Sequence, residues 1–130
     1  MSVEVGIKGR AESVVTEKNT AQAACSGALP VFGTPFMTAL MEQAAWTSIA
    51  PYLAPGESTV GTKLDVSHDS ASPVGIKVWA ESEVTEVDGK RIELKVAAYD
   101  EKGLIGQGVH ERFIITNDRF LAKAGRKLEG

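Results

Sequence analysis

Apolar residues recur along this chain in two patterns, one helical and the others alternating. Between Pro35 and Ala50 they leave almost no polar face, which predicts a long helix buried on most sides. Thr34 followed by Pro35 predicts an N-cap and a first helical residue, and Pro51 predicts the helix end. The helix carries a single charge, Glu42, and a carboxylate in apolar surroundings needs a partner or a function. We therefore expect this helix to lie at the centre of the fold.

The alternating segments predict five strands. These strands fall at residues 3–16, 58–68, 74–87, 92–98 and 104–116. Asp88-Gly89 predicts a two-residue hairpin turn of type I′, and short turns imply antiparallel neighbours. Residues 17–29 are interpreted as a loop with one short helical turn, and residues 117–130 as a short helix with a frayed end.

This order of elements predicts an α+β fold in a single domain, residues 1–130. A curved five-stranded antiparallel sheet would wrap around one long central helix and cover its apolar surface. Because an open sheet leaves an unpaired edge, we expect two copies to associate as a homodimer.

Composition and charge exclude several classes of protein. A net charge of −3, from 14 Lys+Arg against 17 Asp+Glu, argues against a nucleic-acid partner. No segment approaches the ~20 apolar residues of a membrane span, and the N-terminus lacks the apolar run of a signal peptide. The single cysteine, Cys25, cannot form an internal disulfide, which fits a reducing compartment. We therefore expect a cytoplasmic protein that binds neither nucleic acid nor membrane.

Three polar side chains are expected to face one region of this fold. Thr34 starts the helix, Glu42 lies two turns further on, and His68 ends the apolar, even-numbered face of the 58–68 strand. The eight-residue spacing of Thr34 and Glu42 places them within a quarter turn but ~12 Å apart along the helix axis, so they flank a cleft. A carboxylate acting as nucleophile or base, an imidazole and the N–H groups of a helix N-terminus can together attack a carbonyl.

Each of these residues also has a structural interpretation. Thr34 can be an ordinary cap, and His68 a strand-end histidine satisfied by a neighbour. Glu42 can pair with a basic residue of the sheet such as Arg112. His110 is expected to be an ordinary exposed strand residue. No acidic or histidine cluster has the spacing of zinc ligands, so no metal site is predicted.

Several separated motifs resemble one known family. They are Val31-Phe32-Gly33-Thr34-Pro35-Phe36-Met37, Leu40-Met41-Glu42, Ala50-Pro51-Tyr52-Leu53, Pro55-Gly56-Glu57, Gly61-Thr62, Val66-Ser67-His68 and Gly108-Val109-His110-Glu111-Arg112. Together they resemble the fluoroacetyl-CoA thioesterase-like branch of the hotdog-fold thioesterases. The resemblance implies a hotdog fold, a dimer with active sites at its interface, and hydrolysis of a small acyl-CoA to a carboxylic acid and free CoA. The CoA thioester is the substrate, and no cofactor is implied.

The resemblance also implies roles for individual residues. The catalytic Thr, Glu and His of the family fall on Thr34, Glu42 and His68. The residues that fall at substrate-binding positions are Gly61, Arg112 and Phe32. Residues 25–29 lack the aromatic side chains that cover the acyl pocket of the fluoroacetate-detoxifying enzyme, so selectivity for the fluoroacetyl group is not implied.

Two other functions stay open at this stage. One is hydration or dehydration of an acyl thioester, although the chain lacks the Asp-x-x-x-x-His pairing of hydratases. The other is a non-catalytic dimer that binds acyl-CoA, in which Glu42 and His68 only pair with their neighbours.

Overall fold

A computed structural model describes residues 2–129 as one five-stranded antiparallel sheet with a long helix packed against it. The elements are β1 (Lys8–Val14), α1 (Thr34–Ile49), β2 (Glu57–His68), β3 (Lys77–Asp88), β4 (Arg91–Asp100), β5 (Gly103–Thr116) and α2 (Asn117–Gly125). Short 3-10 turns occupy Glu17–Asn19, Ala50–Tyr52 and Arg126–Glu129. The strand order is β1-β3-β4-β5-β2, so β1 and β2 are the edges. The predicted architecture, a sheet around one long helix, is confirmed.

Helix α1 buries one side against the sheet. Its buried residues are Met37, Leu40, Met41, Ala44, Ala45 and Ile49. The sheet residues buried opposite them are Val78, Ala80, Val84, Ile92, Leu94, Val96 and Ala98. The other side of the helix is not covered by the rest of this chain. Ala39 and Gln43 on that side are exposed, and Trp46 is 48% exposed. The prediction of a helix buried on most sides is therefore wrong for a single chain. No helix within residues 2–129 is long and apolar enough to cross a membrane.

The first and third strands begin later than predicted, at Lys8 and Lys77. A glycine with positive φ turns the chain shortly before each of them, Gly6 at +98° and Gly75 at +102°. Glycine adopts this conformation without the steric cost that other residues meet. The alternation of apolar and polar side chains continues across both turns. The sequence pattern therefore predicts strands that are longer than the observed ones.

The hairpin between β3 and β4 forms where it was predicted, but with a different turn. Asp88 pairs with Arg91, so Gly89 and Lys90 are the central residues. Gly89 has φ +62°, whereas Cys25 is the only non-glycine residue within 2–129 with positive φ. Lys90 therefore has negative φ, which fits a type II′ turn rather than the predicted type I′.

Close packing of β1 on α1 depends on Gly9. A Cβ at this position would overlap the Ala44 carbonyl oxygen and lie 2.8 Å from the Ser48 Cβ. Because a backbone carbonyl cannot swing aside, we expect Gly9→Ala to lower the free energy of unfolding by about 3 kcal/mol or more, as measured in urea. Gly125→Ala is the matched control, since among residues 2–129 no atom beyond its chain neighbours and its own helix backbone lies within 4 Å of its Cβ position. Equal stability of the two variants would contradict this account of the packing.

Candidate active site

The predicted catalytic residues lie in two hydrogen-bonded groups between α1 and β2. Thr34 and His68 form the first group. Glu42 belongs to the second group, together with Arg112. Within residues 2–129 no hydrogen bond joins the two groups, so a substrate would have to lie between or across them.

Thr34 is the first residue of α1 rather than its N-cap. The N-cap is Gly33, with extended backbone angles of φ −78° and ψ 139°, and within residues 2–129 no side-chain hydrogen bond caps the helix. The Thr34 hydroxyl instead lies 2.8 Å from His68 Nδ1. The predicted capping role of Thr34 is therefore wrong, because its hydroxyl is hydrogen-bonded to His68 instead.

His68 is the last residue of β2, and its ring faces the start of α1, as the strand pattern predicted. Its Nε2 is buried and has no hydrogen-bond partner within residues 2–129. Burial lowers the pKa of His68 below its ordinary value of 6.5, and the Asp69 carboxylate and the Ser70 backbone oppose this only in part. The imidazole is therefore neutral at pH 7 and able to accept a proton.

A cavity of about 350 Å³ adjoins this pair. Its lining residues are Ala21, Ser26, Val31, Phe32, Thr34, His68, Asp69, Ser70 and Ala71. Phe32 is only 2% exposed and belongs to the hydrophobic core, so it forms a fixed apolar part of the wall. Its backbone N–H donates to the Ser72 carbonyl at 2.9 Å, which ties the segment before α1 to the segment after β2.

A bulge in β2 changes which of its side chains face the helix. The register with β5 shifts between Gly61 and Lys63, which leaves Thr62 as the extra residue. Before the bulge the odd-numbered residues Thr59 and Gly61 face inward, and the predicted even-numbered face holds only after it. Gly61 thereby lies against Glu42, where a Cβ would be 2.5 Å from the carboxylate Oε2. Only glycine admits the carboxylate at this distance.

Glu42 pairs with Arg112 through one of its two oxygens. Arg112 Nη1 donates to Glu42 Oε2 at 3.3 Å, and the Glu42 side chain is 41% exposed. This ion pair is the structural interpretation that the sequence offered for Glu42. The pair leaves Oε1 without a hydrogen-bond partner among residues 2–129, so the carboxylate keeps one oxygen available to a ligand.

Arg112 is held by residues of three elements. Its Nε donates to Thr59 Oγ1 at 2.8 Å and its Nη2 to the Thr59 carbonyl at 2.9 Å. Its Nη1 also lies 3.2 Å from His110 Nε2. Burial lowers the pKa of Arg112 and Glu42 opposes this, and the guanidinium stays protonated at neutral pH.

His110 was expected to be exposed, and this prediction is wrong. The residue is 1% exposed and pairs across the sheet with Leu64 on one side and Leu94 on the other. A signal for this was present in the sequence, because His110 and Arg112 are two residues apart and therefore share a face of the strand. Thr59 was missed for a different reason, since the bulge reverses the inward-facing positions before it.

Comparison with known proteins places the chain among relatives of one kind. Residues 15–118 match the family model described as fluoroacetyl-CoA-specific thioesterase. The chain is 43% identical over 97 residues to the fluoroacetyl-CoA thioesterase of Streptantibioticus cattleyicolor. The aligned segment covers 75% of this chain and 70% of that protein.

Two solved structures show the same fold. One is a phenylalanine-to-alanine variant of the fluoroacetyl-CoA-specific thioesterase in complex with fluoroacetate and CoA. It matches with a TM-score of 0.85 and 36% sequence identity, and the match covers 91% of this chain and 99% of that chain. The other is a hot-dog-like protein from Thermanaerovibrio acidaminovorans, with TM-score 0.88, 25% identity and coverage of 97% and 93%. The predicted hotdog fold and family resemblance are confirmed. The chain therefore belongs to the fluoroacetyl-CoA-specific thioesterase family and is a thioester hydrolase.

Proposed function

We propose that this chain hydrolyses a small acyl-CoA to the carboxylic acid and free CoA, with Thr34, Glu42 and His68 as its catalytic residues. The observation that carries the proposal is that α1 and β2 together present a partly exposed carboxylate and a Thr–His pair beside a cavity. The related enzyme described above was solved with CoA and a carboxylic acid bound, which are the products expected of such a hydrolysis.

Glu42 supplies the carboxylate that attacks the thioester carbonyl or activates the attacking water. Its Oε1 is the atom available for this step, because Oε2 is engaged by Arg112. The guanidinium fixes the second oxygen and thereby orients the first, so the reacting atom does not have to be ordered during the reaction.

Thr34 and His68 act at the carbonyl oxygen and at the leaving sulfur. The Thr34 N–H has no hydrogen-bond partner within residues 2–129, and it lies at the N-terminal end of α1, where the helix dipole favours negative charge. If Glu42 activates the water, neutral His68 accepts the proton that leaves the water and passes it to the CoA sulfur as the C–S bond breaks. If Glu42 attacks first, an acyl–Glu42 anhydride forms as the C–S bond breaks and CoA leaves as the thiolate; neutral His68 then accepts a proton from the water that opens the anhydride and passes it to the thiolate. Water thus contributes the hydroxyl of the new acid and the hydrogen of the free thiol.

The cavity beside His68 is the space next to the Thr34–His68 pair in which an acyl group can lie. Its volume of about 350 Å³ lies at the small end of the range for ligand sites, roughly 300–1,000 Å³. The segment at residues 25–29 places no aromatic side chain over it. We therefore propose a short acyl chain and do not propose selectivity for the fluoroacetyl group.

A panel of acyl-CoAs with a thiol-reactive dye tests this function. Release of one thiol per acyl-CoA consumed supports the proposal. A change in acyl absorbance without thiol release would indicate a hydratase instead. Tight binding without turnover would indicate that the Glu42–Arg112 pair is structural and that the chain only binds acyl-CoA.

We also propose that the chain forms a homodimer. Within residues 2–129 strand β2 pairs only with β5, so its other edge is open, and the uncovered face of α1 carries the 48% exposed Trp46. Both features border the site, and a second copy would supply the missing wall. Sedimentation at micromolar concentration should give twice the chain mass of 13.8 kDa, and Trp46→Glu should shift the protein toward monomer. A monomer at every concentration would rule out the dimer.

A further inference from the structure

The catalytic steps proposed above leave the buried His110 without a role. This residue lies in the middle of β5, is 1% exposed and touches the guanidinium that holds Glu42. The protonation state of a buried histidine ring beside a catalytic ion pair decides its effect on that pair. The neutral ring can accept a hydrogen bond from the guanidinium, whereas the protonated ring repels it.

The hydrogen bonds of the ring fix both its tautomer and its charge. His110 Nδ1 lies 2.8 Å from the Lys63 carbonyl, which can only accept, so Nδ1 carries the hydrogen. His110 Nε2 lies 3.2 Å from Arg112 Nη1, which can only donate, so Nε2 carries the lone pair. A protonated ring would set an N–H against the guanidinium N–H and a positive charge against another. Only the neutral ring satisfies both contacts.

We propose that neutral His110 is a positioning residue, which holds Arg112 in the orientation that presents Glu42 to the substrate. The inference rests on the proposed catalytic role of Glu42. Arg112 Nη1 carries two hydrogens, and its two contacts here are His110 Nε2 and Glu42 Oε2. The Thr59 bonds fix the opposite edge of the guanidinium. Protonation of His110 removes the acceptor, turns Nη1 away and releases the carboxylate.

The surroundings of the ring favour its neutral form at pH 7. The charged side chains near it are Glu42 from α1 and Glu111 and Arg112 from β5. Strand β2 contributes the Lys63 carbonyl, while the Lys63 ammonium lies 3.9 Å from Glu111, and β4 contributes the apolar Leu94. Burial lowers the pKa of His110 below 6.5, Arg112 lowers it further, and the Lys63 carbonyl and the two glutamates oppose this. The hold on Arg112 is therefore complete at neutral pH and is lost as the pH falls.

The pH dependence of kcat/KM distinguishes a positioning role from a merely structural one. His110→Gln keeps an acceptor for Arg112 but does not titrate, so it should retain most of the activity at pH 7. In this variant the fall of kcat/KM at low pH should follow a single protonation, that of His68. In the unmodified protein the fall should be steeper, because both His68 and His110 become protonated. His110→Ala should lower kcat about tenfold with little change in KM. Thr59→Val is the matched control: it removes a non-titrating partner of the same guanidinium and should lower kcat without changing the slope.

Nitrogen NMR of 15N-histidine protein tests the tautomer without any reference to activity. The chain has two histidines, so a His68 variant assigns the signals. We expect His110 at pH 7 to show a protonated Nδ1 and an unprotonated Nε2. A protonated ring, the other tautomer, or an acid limb in His110→Gln as steep as in the unmodified protein would overturn the inference. If Glu42→Gln stays active, the proposed function fails instead, which is a separate result.

Discussion

Glu42→Gln should remove most thioester hydrolysis and leave the fold intact. The amide keeps the shape of the side chain, and its oxygen can still accept from Arg112, but the charge that attacks or activates is gone. We expect a loss on the order of 100-fold or more in kcat, equivalent to ~3 kcal/mol or more of transition-state stabilisation. Thiol release measures the rate, and thermal unfolding of the same sample checks the fold.

The matched control for this variant is Glu81→Gln, which makes the same chemical change at an exposed position on the outer face of the sheet. It should leave the rate unchanged. A Glu42→Gln protein with full activity would show that the carboxylate only pairs with Arg112.

His68→Ala should have the second large effect, a loss on the order of 100-fold together with a change in pH dependence. Because burial lowers the pKa of His68, the active neutral form is present at pH 7, and the rate falls only as the pH drops below the ordinary value of 6.5. In His68→Ala the rate should no longer show the part of this fall that comes from His68. It should keep only the shallower pH dependence that comes from His110. A profile of kcat/KM from pH 5 to 8 measures it.

His110→Ala is the comparison, since it removes the other histidine of the chain. It should cost less activity, because His110 acts through Arg112 whereas His68 contacts the catalytic hydroxyl. If the two variants behave alike, or if His110→Ala is the more damaging, the assignment of His68 as the acid–base residue is wrong.

Side-chain periodicity was sufficient to predict where most elements of this fold lie, because α1 and the central strands β3 and β4 each bury one face. Strand β4 shows this most clearly, since its predicted inner residues Ile92, Leu94, Val96 and Ala98 are all buried. Helix α1 was predicted from its apolar run, and it spans Thr34–Ile49. Periodicity failed where the backbone changes phase without a change in side-chain pattern, at Gly6, at Gly75 and at the bulge at Thr62.

The site was predicted in part. A lone carboxylate on an apolar helix pointed to Glu42 and to an ion pair with Arg112, and both residues lie together. The Thr34–His68 hydrogen bond joins residues 34 positions apart, and only the tertiary fold brings them into contact. Thr59 and the Lys63 carbonyl were not predicted, because their contacts arise at the bulge. The catalytic roles of Thr34, Glu42 and His68, and the substrate-binding roles of Gly61, Arg112 and Phe32, stay predictions.

A crystal structure of the Glu42→Gln variant with acetyl-CoA tests the central claim most directly, because slow turnover keeps the thioester intact in the site. We expect the acyl group to lie between Thr34 and the side chain at position 42, with the carbonyl oxygen within about 3 Å of the Thr34 N–H or hydroxyl. The thioester sulfur should be within reach of His68. An acyl group bound away from α1, for example on the outer face of the sheet, with the Thr34–His68 pair untouched, would contradict the proposed active site.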